Sequence, residues 1–565
     1  MFDIEKLLKQ RLPSDSVLKK QFFKPMVWLL KKILHQHEFK AFDKKYPHVK
    51  GFDFVDQVLD YFNASYSVRD TEQERIPSQG RVVIIANHPI GSLDGLALLK
   101  LVRSVRHDVK IVANEILMGI KNIQPCLLAV DNMTGNTNRE SVMAIRKHLN
   151  QDAAVIVFPA GVVSRLTPKG VRDGKWNAGF LRFAASTQSP VLPIYITARN
   201  SIFFYILSII SRPLSTIWLV PEMFKHRNRC IPIRVGDLIP YESYANNTMP
   251  RPELVSLFQR HLYRVAKKTP GIFETTRAIA HPEDHRIVRQ EIKSHELLGE
   301  TTDGKQIYLC QCNTDSSLMR ELGRIREVTF RAVGEGTGRR RDTDYLDLVY
   351  NHLILWDDDA LEIAGAYRIS DTRSMNHATT EEQLYSSRLF TYREEMNAYL
   401  AMGLELGRSF VQPRYWGRRS LDYLWQGIGA LLKRNPQYRY LFGAVSISDT
   451  YPLMAKNMLV YFYQKHYGTQ KNLVEATAPF SISKELSQEL ERLFPGSDYK
   501  KDFRELKSRL KHMNCSVPTL FKQYAELCDP GGVIFADFGL DFDFNKAVDG
   551  FVIVDTYRLL AHKRE

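Results

Sequence analysis

Residues 82–95, VVIIANHPIGSLDG, decide how this chain is read. Four β-branched apolar residues in a row, Val82 to Ile85, fit a short buried strand. Asn87, His88 and Pro89 follow at once, and Gly91, Ser92 and Gly95 mark a tight turn into an apolar helix over residues 96–105. The turn holds an imidazole and a carboxylate, His88 and Asp94, at the end of a rigid strand, where α/β proteins carry their chemistry. An imidazole held by an aspartate can take the proton of a substrate hydroxyl, and the carboxylate stabilises the charged ring that results. The competing reading is a helix start capped by Ser92 or Asp94 beside a core histidine.

Outward from this turn, strands are expected at residues 110–113, 124–130, 153–158 and 190–196, and helices at 138–150 and 180–186. Repeated strand–helix units predict an α/β fold, a mostly parallel sheet with helices on its faces. Residues 153–161 (AAVIVFPAG) run into Ser164, Arg165 and a basic loop with Lys169, Arg172 and Lys175. Residues 202–210 (IFFYILSII) are apolar but too few to span a bilayer. A buried core helix is expected there, with a dip into a bilayer or the lining of an acyl tunnel as alternatives.

A chain of 565 residues calls for two domains or more. With 44% hydrophobic and 25% charged residues, wholesale disorder is excluded. Residues 1–290 hold 42 Lys/Arg against 25 Asp/Glu, or +17; the remaining 36 against 38 give −2, and the two sum to +15. A basic first half suits an anionic partner: lipid headgroups, nucleic acid or an acidic carrier protein. Six scattered cysteines form no CxxC pair or metal-ligand run, which fits a reduced cytosolic setting. Asp3 and Glu5 stand where a secretion signal needs positive charge, and no run of 18 apolar residues predicts a transmembrane helix.

Residues 17–42 mix Phe22, Phe23, Trp28, Leu29 and Ile33 with Lys19, Lys20, Lys24, Lys31 and Lys32, the pattern of an interfacial basic helix starting near Pro25, with a surface helix packed on its own domain as the alternative. The polar stretch 277–304 marks the expected domain boundary. Beyond it a helix is expected over residues 318–330, then a loop rich in glycine and arginine (334–341), strands at 351–357 and 361–369, the segment ELGRSFV (405–411), a helix at 421–433 and a strand at 440–446. Asp537, Asp541 and Asp543 form an acidic run without the spacing of a calcium loop, and are expected beside an active site.

The order NHPIGSLDG, LLAVDN, FPAGVVSR and SPVLPIYI resembles the four-block pattern of the glycerolipid acyltransferase family. The resemblance implies His88 as general base, Asp94 as its orienting partner, and Gly161, Ser164 and Arg165 lining the acceptor site. Five residues rather than four separate His88 from Asp94, and Ala160 replaces the usual glutamate of the third block. Both departures fit a divergent branch with an acceptor other than glycerol phosphate; a carboxylate acceptor would pair with Arg165 in bidentate fashion.

In the second half, Arg326 with Phe330, Asp344 with Asp347, Arg368, and Glu405 with Arg408 and Ser409 match in type and order the N-acyltransferase fold. The spacing resembles the acyl-homoserine-lactone synthases and, more closely, the ornithine N-acyltransferases. The lactone synthases' tryptophan beyond Phe330 is missing. So is the glycine-rich pyrophosphate loop, between Gln412 and Arg419, of relatives that use coenzyme A. That favours an acyl-carrier-protein donor over coenzyme A.

Together the two halves resemble the fused acyltransferases that make ornithine lipids. The resemblance implies a membrane-associating segment (1–48), an O-acyltransferase domain (49–285) and an N-acyltransferase domain (296–565). The C-terminal domain would acylate ornithine with a 3-hydroxyacyl group, Glu405 accepting the amine proton. Arg326, Arg368 and Arg408 would hold the substrate carboxylate or donor, and Asp344 and Asp347 the cationic side chain. The N-terminal domain would then esterify the lyso-lipid. No cofactor, metal or nucleic acid is implied, and the expected place is peripheral on the inner face of the cytoplasmic membrane. A glycine- or other amino-acid-lipid synthase and a non-catalytic haemolysin-like membrane protein are the rival readings.

Overall fold

A computed structural model describes residues 28, 31–91, 93–113, 115–130, 139–168, 170–245, 249–373 and 384–561. The chain divides into two compact units that meet between Ala280 and His281. The expected boundary segment is not a loose linker throughout: Val288 and Ile292, on helix His285–Ile292, pack into the second unit's core.

In the first unit, strand β1 (Ser65–Ser67), β2 (Val82–Ala86), β3 (Val109–Ala113), β4 (Leu127–Ala129), β5 (Ala154–Val157), a small hairpin of β6 (Arg165–Thr167) and β7 (Gly170–Arg172), β8 (Val191–Ile196) and β9 (Cys230–Val235) alternate with helices. Among the described residues the main sheet runs β1-β9-β8-β2-β5-β3-β4, parallel except between β8 and β9. Strand β2 shows why its apolar run is unbroken. Val82, Ile84 and Ala86 enter the core on one face, while Val83 and Ile85 enter the core on the other. Each of these valines and isoleucines contributes roughly 1.5–3 kcal/mol of burial.

Only part of the expected basic helix lies in the described residues. There the chain turns at His35 (φ 48°), and helix α1 (Gln36–Lys45) packs on its own unit. His35 stacks on Phe224, and Phe42 is buried against Phe54 and Tyr61. Lys19, Lys20 and Lys24 lie outside the described residues.

The second unit is built on strands β10 (Glu296–Glu300), β11 (Gln306–Gln311), β12 (Asn351–Asp357), β13 (Glu362–Asp371), β14 (Phe390–Tyr392), β15 (Gly403–Val411), β16 (Tyr440–Ile447), β17 (Val474–Ala476), β18 (Val533–Asp541) and β19 (Ala547–Asp555). Its large sheet runs β10-β11-β12-β13-β15-β16-β19-β18. All pairs in it are antiparallel except β15 with β16, which pair in parallel over Gly403 to Glu405 and then part. Helix α2 (Ser317–Ala332) packs by Leu318, Leu322 and Ile325 with Ile354 and Ala366 of the sheet. Among the described residues no helix is long and apolar enough to cross a membrane.

Candidate active sites

The first site is built where β2 ends. The Asn87 side chain continues the sheet after the backbone leaves it: Nδ2 donates to the Ile196 carbonyl (2.9 Å) and Oδ1 accepts the Ile196 N–H (2.7 Å). His88 is thereby fixed at the strand's end. Its Nδ1 donates to Asp94 Oδ2 at 3.1 Å, and the same oxygen accepts the N–H groups of Ile90 (3.0 Å) and Gly91 (3.2 Å). Asp94 is fully buried at the start of helix Leu93–Arg103, and the His88 side chain is 20% exposed. The fifth intervening residue is absorbed by the turn, where Gly91 takes φ 86° and leaves no room for a Cβ against Val163. Asp94 therefore stands inside the helix rather than as its cap, and its carboxylate ties the Ile90–Gly91 turn to the His88 ring.

His88 stacks on Phe158, ring centroids 4.2 Å apart. Burial works against its charged form, yet the Asp94 carboxylate prevails and raises its pKa above the usual value. Asp94 is held low, its burial outweighed by His88 and the backbone donors. With Nδ1 committed, Nε2 takes no hydrogen-bond partner among the described residues and is the nitrogen left to meet a substrate.

Ser164 is buried; its N–H donates to the His88 carbonyl (2.8 Å) and its Oγ to Asp173 Oδ1 (2.5 Å). Asp173, which also accepts from the His88 N–H and Trp176 Nε1, went unrecognised in the sequence. Its only local signal is a lone acid inside a basic loop. Gly161 makes the loop's turn at φ 65°. Arg165 donates to Ser215 Oγ (2.5 Å) and lies over the Phe204 ring.

The second site collects arginines that the chain scatters. Arg326 on α2 donates to Asp347 Oδ1 (2.6 Å) and to His352 Nδ1 (3.2 Å). Arg368 on β13 donates to Asp344 Oδ1 (2.7 Å) and Asp347 Oδ1 (3.2 Å). Asp347 Oδ2 accepts the Asp344 N–H, so both Asp347 oxygens are occupied. Burial opposes its charge, but Arg326 and Arg368 hold it far below the usual carboxylate range. Asp344 and Asp347 thus serve to brace the arginines, which leaves little of either for a cationic substrate group.

Arg408 differs. It sits in a bulge, where β13 pairs Ala366 with Phe410 and then Arg368 with Gly407, and it takes a left-handed φ of 47°. Its guanidinium lies 3.7 Å from Asp342 and 3.8 Å from Asp344, between the rings of Tyr385 (4.8 Å) and Phe544 (5.1 Å). Those distances exceed hydrogen bonds, so among the described residues its guanidinium makes none, whereas Arg326 leaves only Nε, and Arg368 only Nε and Nη2, without a partner. Ser409 shares the bulge and lies beside the Tyr367 hydroxyl.

Glu405 is buried and accepts four donors: the hydroxyls of Tyr350 and Ser386 and the N–H groups of Tyr385 (3.2 Å) and Ser386 (2.7 Å). Four donors fill a carboxylate, so its geometry suits holding Tyr350 and the 385–386 turn better than taking an amine proton. Tyr385 donates to Asp541 Oδ2 (2.6 Å). Asp541, Asp549 and Glu335 are all buried; burial and mutual repulsion raise Asp549, and burial pushes Glu335 up to about 7. Of the acidic run, Asp541 therefore reaches this site, while Asp537 accepts the Ala476 N–H.

A model of the acyltransferase family matches residues 8–264, and one of the acetyltransferase (GNAT) domain matches residues 325–426. A glycine N(alpha)-acyltransferase of Bacteroides thetaiotaomicron is 30% identical over 299 residues, 51% of this chain and 88% of that protein. A lyso-glycine lipid O-acyltransferase of the same organism is 29% identical over 257 residues, 44% of this chain and 92% of that protein. An L-ornithine N(alpha)-acyltransferase of Brucella abortus is 28% identical over 144 residues, 22% of this chain and 49% of that protein.

Proposed function

Since the chain belongs to the family of the glycine N(alpha)-acyltransferases, we propose that it builds an amino-acid lipid by two acyl transfers, one in each unit. The GNAT-type unit acts first. It transfers a 3-hydroxyacyl group from the thioester of an acyl-carrier protein to the α-amine of ornithine, giving a lyso-lipid. The exposed Arg418 and Arg419, ahead of helix Ser420–Arg434, suit an acidic carrier. Arg408 pairs with the amino acid's carboxylate, with Arg326, Arg368, Asp344 and Asp347 as its frame. The amine attacks the thioester carbonyl, the thiolate leaves, and the amine's proton passes towards Tyr385 and Asp541. Glu405 positions Tyr385 rather than accepting that proton.

The first unit then esterifies the lyso-lipid. His88 Nε2 takes the proton of the 3-hydroxyl as its oxygen attacks a second acyl thioester, and Asp94 stabilises the imidazolium. Gly161, Ser164 and Arg165 border the acceptor. Work on a lyso-lipid, itself an amphiphile, fits a peripheral position on the inner face of the cytoplasmic membrane.

The observation that carries this reading is that, among the described residues, each unit sets a group without a hydrogen-bond partner beside a committed carboxylate cluster, His88 Nε2 in the first and the Arg408 guanidinium in the second. Ornithine's side-chain ammonium would meet Glu335 and Asp549, leaving Asp541 to the amine's proton. Glycine is the second reading, favoured because Asp344 and Asp347 are spent on arginines and because the glycine relative is spanned for 88% of its length.

Two experiments bear on it. A fragment from His281, which has its own core, is expected to fold cooperatively and to N-acylate an amino acid by itself. A folded fragment inert with ornithine, glycine and every other amino acid would count against it. Ester formation should also rise with pH through the His88 pKa, because only the neutral ring takes a proton. In Asp94→Asn the main raising carboxylate is gone and burial is opposed only by the lesser pull of Asp173, so this acid limb moves to lower pH while the plateau falls about 10²–10⁴-fold. An acid limb that stays in place would mean that another group is being titrated.

A further inference from the structure

The nine apolar residues expected in the core are not in it. Helix Ile202–Ile210 forms a hairpin with helix Arg212–Lys225 and buries only Phe204, Tyr205 and Ser208. Ile202, Ile209 and Ile210 are 79%, 71% and 76% exposed, and Phe203 and Ile206 are exposed as well. Their spacing puts all five on one helix face. Leu214 and Ile217 extend the apolar surface onto the second helix, and Val162 and Leu166 stand exposed on the loop and strand around Arg165. Scattered surface leucines are ordinary; a contiguous apolar face of this extent marks something that covers it.

The charges say what does. From Arg199 to Lys225 the only acidic residue is Glu222, which is buried and bonded to Ser201 and Lys225. Arg199, Arg212 and Lys225 are exposed around it. An apolar face whose exposed charges within residues 199–225 are all cationic matches an anionic bilayer surface, where headgroups meet the cations and acyl chains the isoleucines. The hairpin is also tied to the His88 turn. Asn200 Nδ2 donates to the Pro89 carbonyl (3.5 Å), Arg165 donates to Ser215, and Leu219 packs against Gly91 with Val163.

We propose that residues 202–217 are the membrane-docking surface of the first unit, seating the His88 site at the level of a bilayer-borne acceptor. This rests on the esterification reading for its purpose, but the docking can be measured without substrate. Full-length protein is sedimented with vesicles of phosphatidylcholine and phosphatidylglycerol. The variant Ile202→Glu/Ile209→Glu/Ile210→Glu is expected to bind about tenfold more weakly or worse, with its melting unchanged. It should still esterify a short-chain, water-soluble acceptor while failing on vesicle-borne lyso-lipid. Loss of both activities with vesicle binding intact would instead strike at the esterification reading. As a check that does not depend on the triple variant folding, a polarity-sensitive dye on Ile206→Cys, in a Cys230→Ser background, should shift to the blue when vesicles are added. Undiminished binding by the triple variant, or no dye shift, would overturn the proposal. So would a wild-type dimer without vesicles that the triple variant abolishes while still binding them, for the face would then cover a second copy of the chain.

Discussion

His88→Ala abolishes ester formation and leaves amide formation intact, so cells carrying it accumulate the mono-acylated lyso-lipid. The expected loss is large because, among the described residues, the ring is the only group at the end of β2 with an uncommitted nitrogen beside a buried carboxylate. A positioned general base is worth about 10²–10⁴-fold, and the alanine removes both the base and the stacking partner of Phe158. Asp94 keeps three backbone donors in the variant, from Ile90, Gly91 and Gly95, so the turn should persist. The assay is a quantification of mono- and diacyl product from purified enzyme, and normal diacyl yield would remove His88 from the mechanism.

Arg408→Lys is the matching experiment in the second unit. Lysine keeps the charge that Asp342 and Asp344 face, so the fold should hold, but it offers a point charge in place of a planar fork. N-acylation is expected to fall about 10²-fold or more, with a rise in the KM for the amino acid, while esterification of supplied lyso-lipid is unchanged. Arg368→Leu provides the contrast. It strips the buried Asp347 and the half-buried Asp344 of a partner, and its expected effect is a loss of about 3–5 kcal/mol of stability. Unchanged N-acylation by the lysine variant would mean that Arg408 holds the fold and not the substrate.

The elements were legible because their patterns are local. The run at residues 82–85 lies within β2, the helix expected at 318–330 spans Ser317–Ala332, and the strand expected at 440–446 spans Tyr440–Ile447. The pairing of His88 with Asp94 was legible too, since six positions and a glycine turn bring them together. What could not be read is long-range. Asp173 reaches the His88 backbone from 85 residues away, and Tyr350 saturates Glu405 from 55. Neither leaves a periodic trace. The segment ELGRSFV rightly marks a special strand, but period-two alternation says nothing of the bulge that turns Arg408 out of register. The isoleucine helix misled for a related reason: composition reports that a surface is apolar, not whether protein or something else covers it.

The central claim is that two acyl transfers on one amino acid occur in one chain. It is tested most directly by extracting lipids from cells that express the full chain and identifying the headgroup and acyl count by mass. The account predicts a diacylated amino-acid lipid from the wild type, its mono-acylated form from His88→Ala, and neither from Arg408→Lys. Extracts with no acylated amino acid from the active wild-type protein, or diacyl product from His88→Ala, would contradict it.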